Sequence, residues 1–303
     1  MLQEGIDEYI ASLSTKEQGG GEPREPRETN QNTIVAYRND LNQARAYLAQ
    51  QHIENWQQVT GAHIADYLLE MRDAQAYRPT TIARKLASLK TFFRYLQATG
   101  SIPVDPIEDL SAPRIQKDPP QVLSQEQIAD LFRQVAVDTP AGIRDMAMLH
   151  MLYATGMRVS ELVALNLEHI DLAQAIVVCA GRNGKNKRER VLPLSPSVLD
   201  ETRRYLEAAR QRLIQHHPHE QALFVNHHGE RLTRQGFWLI IKGYARQAGI
   251  SGITPHMLRH SFAILMLQNG MELRSVQELL GHAHIATTQV YSQLARENAK
   301  TTV

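Results

Sequence analysis

Cysteine is nearly missing from this chain of 303 residues: Cys179 stands alone, which excludes an intramolecular disulfide framework and fits a reducing compartment. It ends the apolar run from Ala175, where a small buried hydrophobe is the ordinary role of a free cysteine. A surplus of one charge is missing too. Against 33 Lys and Arg stand 32 Asp and Glu, a net charge of +1, so contact with any polyanion has to come from local patches. No apolar run approaches the ~20 residues of a membrane span. The opening MLQEGIDEYI carries acids where a secretory leader needs basic and apolar residues. A protein of the cytoplasm, without a membrane partner, is expected. Histidine is plentiful but poorly placed for metal. His216, His217 and His219 form one cluster and His227 and His228 another, while His256 and His260 are separated by Met257, Leu258 and Arg259, with no acid of the HExxH kind between them. Neither a metal nor a cofactor is expected.

What is present organises the chain into two parts. Leu2, Ile6, Tyr9, Ile10 and Leu13 share a helical face. The stretch 16–31, KEQGGGEPREPRETNQ, reads as a flexible insertion. Helical spacing resumes with Ile34, Tyr37, Leu41 and Ala44, and a third helix is expected at about 62–71. After Pro79, residues Ile82, Leu86, Leu89, Phe93 and Leu96 step by 4, 3, 4 and 3, the clearest core-facing stripe in the chain. Arg84, Lys90 and Arg94 fall off it, among Thr80, Thr81, Ser88 and Thr91. That face is either merely solvated or a surface for DNA phosphates, which Lys, Arg and hydroxyl groups engage without reading sequence. Five prolines between 103 and 123 forbid a long helix. The domains are therefore placed at 1–111 and 124–303, with a linker at 112–123.

In the second part, Ser124 to Gln127 reads as a helix cap. Residues 144–154 form an apolar helix stopped by Gly156, and Arg158 and Glu161 follow at the mouth of the next. Strands are expected at 175–180 and 190–194 around the basic turn GRNGKNKRER, with 222–226 a candidate third. Thr254 caps a helix with Pro255 as its first residue, placing His256, Arg259 and His260 in its first turns. His260 is read as a packing residue bonded within its helix. Gly270 and Gly281 read as helix stops. His282 stands just past the second, and Tyr291 follows nine residues later.

Phosphoryl transfer through a covalent intermediate needs such a set. A tyrosine hydroxyl, with an ordinary pKa of about 10, is a weak nucleophile until its charge is stabilised or its proton taken. Two arginines can hold the non-bridging oxygens, and a lysine on a turn can protonate a leaving alkoxide.

The stretches ATGMRVSELVALN, GKNKRERVLPL, TPHMLRHSFA and LLGHAHIATTQVYSQL resemble the tyrosine recombinases of the phage-integrase superfamily, most of all the Xer type. NTIVAYRNDL and RPTTIARKLASLKTFFRYL resemble the helical domain that precedes the catalytic one there. The resemblance implies a mainly α fold with a small antiparallel β-sheet: a helical N-terminal SAM-like DNA-binding domain, then an α/β tyrosine-recombinase catalytic domain. It implies Tyr291 as nucleophile on a scissile phosphate of double-stranded DNA, forming a 3′-phosphotyrosyl link. Arg158 and Arg259 would clamp the phosphate, His256 assist proton transfer, His282 bond the phosphate and Glu161 act in support, orienting the arginine side or the basic turn. Lys185 would be the general acid, chosen by local match over Arg182, with Lys187 in reserve. Lys187 and Arg188 would also contact DNA. Ala283 and His284 depart from the family's pattern after His282. The resemblance further implies a homotetramer, or a heterotetramer with a related recombinase, working through a Holliday junction. Its Xer form would resolve chromosome or plasmid dimers. A phage or transposon integrase with the same chemistry, and an inactive DNA-binding regulator, are the alternatives. Whether Tyr291 rests docked or displaced is open.

Overall fold

The computed structural model describes residues 2–14, 31–74, 77–111, 121–179, 189–281, 289 and 291. The chain forms two compact units, 1–117 and 118–303. The expected flexible stretch 16–31 lies outside the described residues except for Gln31, where a helix begins, and so does most of the linker, 112–120.

Four helices build the first unit: α1 (Leu2–Ser14), α2 (Gln31–Gln50), α3 (Gly61–Asp73) and α4 (Pro79–Ala98). Pro79 opens α4 at a position whose N–H would have no helical partner in any case. Ile82, Leu86, Leu89, Phe93 and Leu96 are all buried, as their spacing predicts. Each such side chain contributes roughly 1.5–3 kcal/mol by leaving water. Phe92, off the stripe, is buried as well, with the Trp56 ring 4.7 Å away edge-on. The Trp56 indole N–H donates to the Leu2 carbonyl at 2.9 Å, fastening α1 to this core. A charged cluster sits inside it. Asp40 and Lys85 are both buried and joined at 3.0 Å, and Lys85 also donates to Gln43. Arg84 closes on the same Asp40 carboxylate.

The second unit packs α5 (Gln125–Arg133), α6 (Pro140–Thr155) and α7 (Val159–Ala164) with a sheet of β1 (Ile170–Asp171), β2 (Ile176–Cys179) and β3 (Arg190–Pro193). After it, α8 (Pro196–Arg204) runs through a π-helical turn at Tyr205–Arg210 into α9 (Gln211–Leu213). Then come α10 (Arg234–Gln247), α11 (Pro255–Gln268) and α12 (Leu273–Leu280). The Ser124 capping box forms, and α6 starts four residues earlier than its apolar pattern suggests, because Thr139 caps it and Pro140 takes its first position. The sheet is antiparallel in the order β1-β2-β3, with Cys179 opposite Arg190. Its third strand is Ile170–Asp171, not 222–226. That buried segment makes only isolated bridges, Asn166 to Ala222 and Val225 to Arg231. The rest of its backbone bonds are shared between other segments and guanidinium groups: Leu223 donates to the Leu165 carbonyl, the Phe224 carbonyl accepts the Leu232 N–H, Arg210 donates to the carbonyls of Glu220 and Ala222, and Arg144 donates to that of Val225. No described helix is long and apolar enough to cross a membrane.

Candidate active site

Helix ends make the site. α6 stops at Gly156, in the left-handed conformation at φ 60°, and α7 begins two residues later with Arg158 as its N-cap. The Glu161 carboxylate reaches back to accept the Arg158 backbone N–H at 2.7 Å. It also accepts Arg158 Nη1 at 2.8 Å. One side chain thus caps the helix and aims the arginine. The other terminal nitrogen of Arg158 donates to the Gly281 carbonyl at 3.2 Å, where α12 ends in a second left-handed glycine at φ 62°.

Arg259 joins the same two helix ends. Nη1 donates to the Gly156 carbonyl at 2.6 Å and Nη2 to the Leu280 carbonyl at 2.5 Å, matching a fork of donors to carbonyls that their helices leave without partners. Its helix is held in turn by Ser261, whose hydroxyl accepts the Leu123 N–H at 2.8 Å. Burial, and then the nearby positive charge of Arg158, bring the Arg259 guanidinium down to about 10.

A third arginine completes the group. Arg190, at the head of β3, donates to both oxygens of Glu161, at 3.2 and 2.9 Å. Burial alone would raise the Glu161 carboxyl, but the bonds and charges of Arg190 and Arg158 outweigh it and hold the group below its usual range. Three guanidinium groups around one carboxylate leave the pocket positive and suited to a phosphodiester.

Tyr291 enters this pocket from the C-terminal part of the chain. It is 3% exposed, packed among Phe262, Val276 and Leu280, and its hydroxyl lies 2.7 Å from His260 Nδ1. The resting tyrosine is therefore docked. Burial raises its phenol, while the charges of Arg259 and then Arg158 act in the opposite direction, so the two candidate phosphate clamps and the candidate nucleophile share one electrostatic environment. His256 is exposed on the first turn of α11, its ring stacked 6.2 Å from that of His260.

The structure thus brings together Arg158, Glu161, His256, Arg259 and Tyr291. Lys185, Lys187, Arg188, His282 and His284 lie outside the described residues. In the first unit, Arg84 is exposed but paired with Asp40, Lys90 donates to the Glu108 carbonyl at 2.9 Å, and Arg94 is exposed. Ser88 is buried and bonded to the Lys85 carbonyl, so it is not part of that face. Two residues were missed by sequence reasoning. His260 is bonded not within its helix but to a residue 31 positions away, and helical spacing alone carries no sign of such a partner. Arg190 did leave a trace. It shares a strand face with buried Leu192, whereas Val191 between them is 58% exposed, and a charge facing inward on a period-two pattern marks a partner inside.

A sequence pattern described as "Phage integrase family" matches residues 121–298, more than half the chain. The chain belongs to the phage integrase family. A second pattern, "Phage integrase, N-terminal SAM-like domain", matches residues 24–100 of this integrase-family protein. It is 46% identical to "Tyrosine recombinase XerC" of Roseiflexus sp. (strain RS-1), over 87% of this chain and 83% of that protein. It is 39% identical to "Tyrosine recombinase XerD" of Oceanobacillus iheyensis, over 99% and 97%. Its fold is similar to that of a lambda integrase tetramer bound to a Holliday junction, with a TM-score of 0.74 at 17% identity, covering 96% of this chain and 76% of the other. It is also similar to XerH site-specific recombinase bound to a palindromic difH substrate, with a TM-score of 0.70 at 18% identity, covering 99% and 93%. The integrase-family chain is thus a Xer-like tyrosine recombinase, a DNA strand-exchange enzyme with the mainly helical two-domain fold that its motifs imply.

Proposed function

We propose that this recombinase cuts double-stranded DNA with Tyr291 and rejoins it crosswise, through a 3′-phosphotyrosyl intermediate and a Holliday junction. The observation that carries this reading is the position of Tyr291, buried against Phe262 and Leu280 with its hydroxyl 2.7 Å from His260, beside the helix ends that Arg259 and Arg158 grip. Arg158 and Arg259 hold the non-bridging oxygens of the scissile phosphate as charge spreads over them. Both now donate to helix-end carbonyls, which the non-bridging oxygens of a phosphodiester, sharing a full negative charge, can displace. Glu161 keeps Arg158 aimed. His256 assists proton transfer, His282 bonds the phosphate, and Lys185, with Lys187 in reserve, protonates the departing 5′-oxygen.

The helical unit adds phosphate contacts through Arg84, Lys90 and Arg94, and the basic turn adds Lys187 and Arg188. Four protomers, of this chain alone or with a related recombinase, assemble on two DNA sites, as the lambda integrase tetramer does on its junction. The work is resolution of chromosome or plasmid dimers in the cytoplasm, and likeness to proteins named XerC and XerD supports it. Incubation with nicked suicide DNA tests the chemistry. A covalent adduct should form with the natural protein and be lost in Tyr291→Phe. An adduct that persists in Tyr291→Phe refutes the assignment.

A further inference from the structure

We infer that His260 is a catalytic residue: its Nδ1 accepts the phenolic proton of Tyr291 as that oxygen attacks phosphorus. The inference rests on the reading of Tyr291 as the nucleophile. The two groups are 2.7 Å apart, with ring centroids separated by 5.3 Å, within the reach a general base needs. Neither is adventitiously placed. His260 sits beside Arg259, whose two bonds lock α11 against the ends of α6 and α12, and Tyr291 is packed against Phe262 and Val276.

The electrostatics keep this imidazole unprotonated until substrate arrives. Burial first, then the charges of His256 and Arg259 on its own helix, bring the His260 imidazole down to about 4. It is therefore neutral near pH 7. With its proton on Nε2, it presents the Nδ1 lone pair to the phenol. The facing group from the C-terminal part of the chain is Tyr291, whose phenol is raised by its own burial, so before DNA arrives the proton stays on oxygen. A phosphodiester seated on Arg259 and Arg158 carries the negative charge that offsets the neighbours opposing His260 protonation. Basicity at Nδ1 then rises as the substrate enters.

The step balances. The Tyr291 oxygen forms a bond to phosphorus, the phosphorus to 5′-oxygen bond breaks, the phenolic proton passes to Nδ1, and the leaving oxygen takes a proton from a separate acid. In rejoining, a 5′-hydroxyl bonds to phosphorus while its proton returns to the conjugate base of that acid, the bond from phosphorus to the Tyr291 oxygen breaks, and the imidazolium returns its proton to the departing phenoxide.

The test is single-turnover cleavage of nicked suicide DNA by full-length protein, followed from about pH 6 to pH 9, a range in which a working base keeps the rate nearly level. In His260→Asn the amide can accept the phenol's hydrogen bond but cannot take its proton. Cleavage should fall on the order of 10²-fold near pH 7, climb about tenfold per pH unit as the phenol ionises unaided, and recover when Tyr291 is replaced by a more acidic fluorotyrosine. DNA affinity should be unchanged. A His260→Asn protein with the natural rate and profile overturns the inference, as does a slow one that fluorotyrosine fails to rescue. Should that variant not bind DNA, the natural protein decides: a rate rising tenfold per unit through neutrality means the phenol ionises without a base. Tyr291→Phe separates the two readings. If it still forms the adduct, the nucleophile assignment falls. If it forms none while His260→Asn behaves normally, only the role of His260 falls.

Discussion

Replacing Gly281 by alanine should loosen the site through Arg190. In the left-handed conformation at φ 62°, any side chain costs about 1 kcal/mol. The new Cβ would also stand 2.9 Å from Arg190 Cζ, 3.1 Å from Cδ and nearer still to Nη1. Those atoms end a flexible side chain, so the helix cap stays and the guanidinium swings away from Glu161. Their ion pair is largely sheltered, at 15% and 10% exposure, and losing its charge-assisted bonds adds about 1.5–3 kcal/mol. The total is about 2.5–4 kcal/mol. Urea unfolding measures it in the second unit if Trp56→Phe leaves Trp238 as the sole indole. In an Arg190→Ala background, where the obstacle is gone, Gly281→Ala should cost only the backbone part, about 1 kcal/mol. Equal penalties in the two backgrounds would refute the coupling.

Glu161→Gln should remove part of the protein's acid sensitivity. The folded carboxyl lies below its ordinary value of 4.5, so its contribution is complete above that value and is lost as pH falls through the folded one. The stability gap between the natural protein and Glu161→Gln should therefore be widest near neutrality and narrow in acid, and a gap constant with pH would contradict the Arg190 and Arg158 pairing. On the helical unit, Arg94→Ala should lower the salt slope of DNA binding by about 1, and Arg84→Ala by less, because Asp40 already neutralises Arg84. Unchanged slopes in both variants would return that face to simple solvation.

Local rules carried much of the architecture. The stripe from Ile82 to Leu96, the caps at Ser124 and Thr254 and the stops at Gly156 and Gly281 depend on residues within a few positions of one another, and each appears in the structure. The 222–226 segment misled because its apolar run is buried as a strand's would be, while its backbone partners are scattered, Leu165, Glu230 and Leu232 for some groups and the guanidiniums of Arg144 and Arg210 for the carbonyls of Val225 and Ala222. In the site, motif resemblance brought Arg158, Arg259 and Tyr291 together on paper. It left open where Tyr291 rests, and it did not connect Arg190 to Glu161 or His260 to Tyr291. Those links join residues 29 and 31 positions apart, set by how α11, α12 and β3 pack and not by any spacing within one element.

Arg158 and Arg259 grip the last carbonyls of α6 and α12, and this turns helix length into a functional quantity. Each residue of a helix turns the chain by about 100° and advances it 1.5 Å. One residue inserted within α12 would carry the Leu280 and Gly281 carbonyls around the axis, away from both arginines, even if every apolar contact could be rebuilt. A substitution along either helix leaves that register intact, whereas a residue gained or lost between its caps does not.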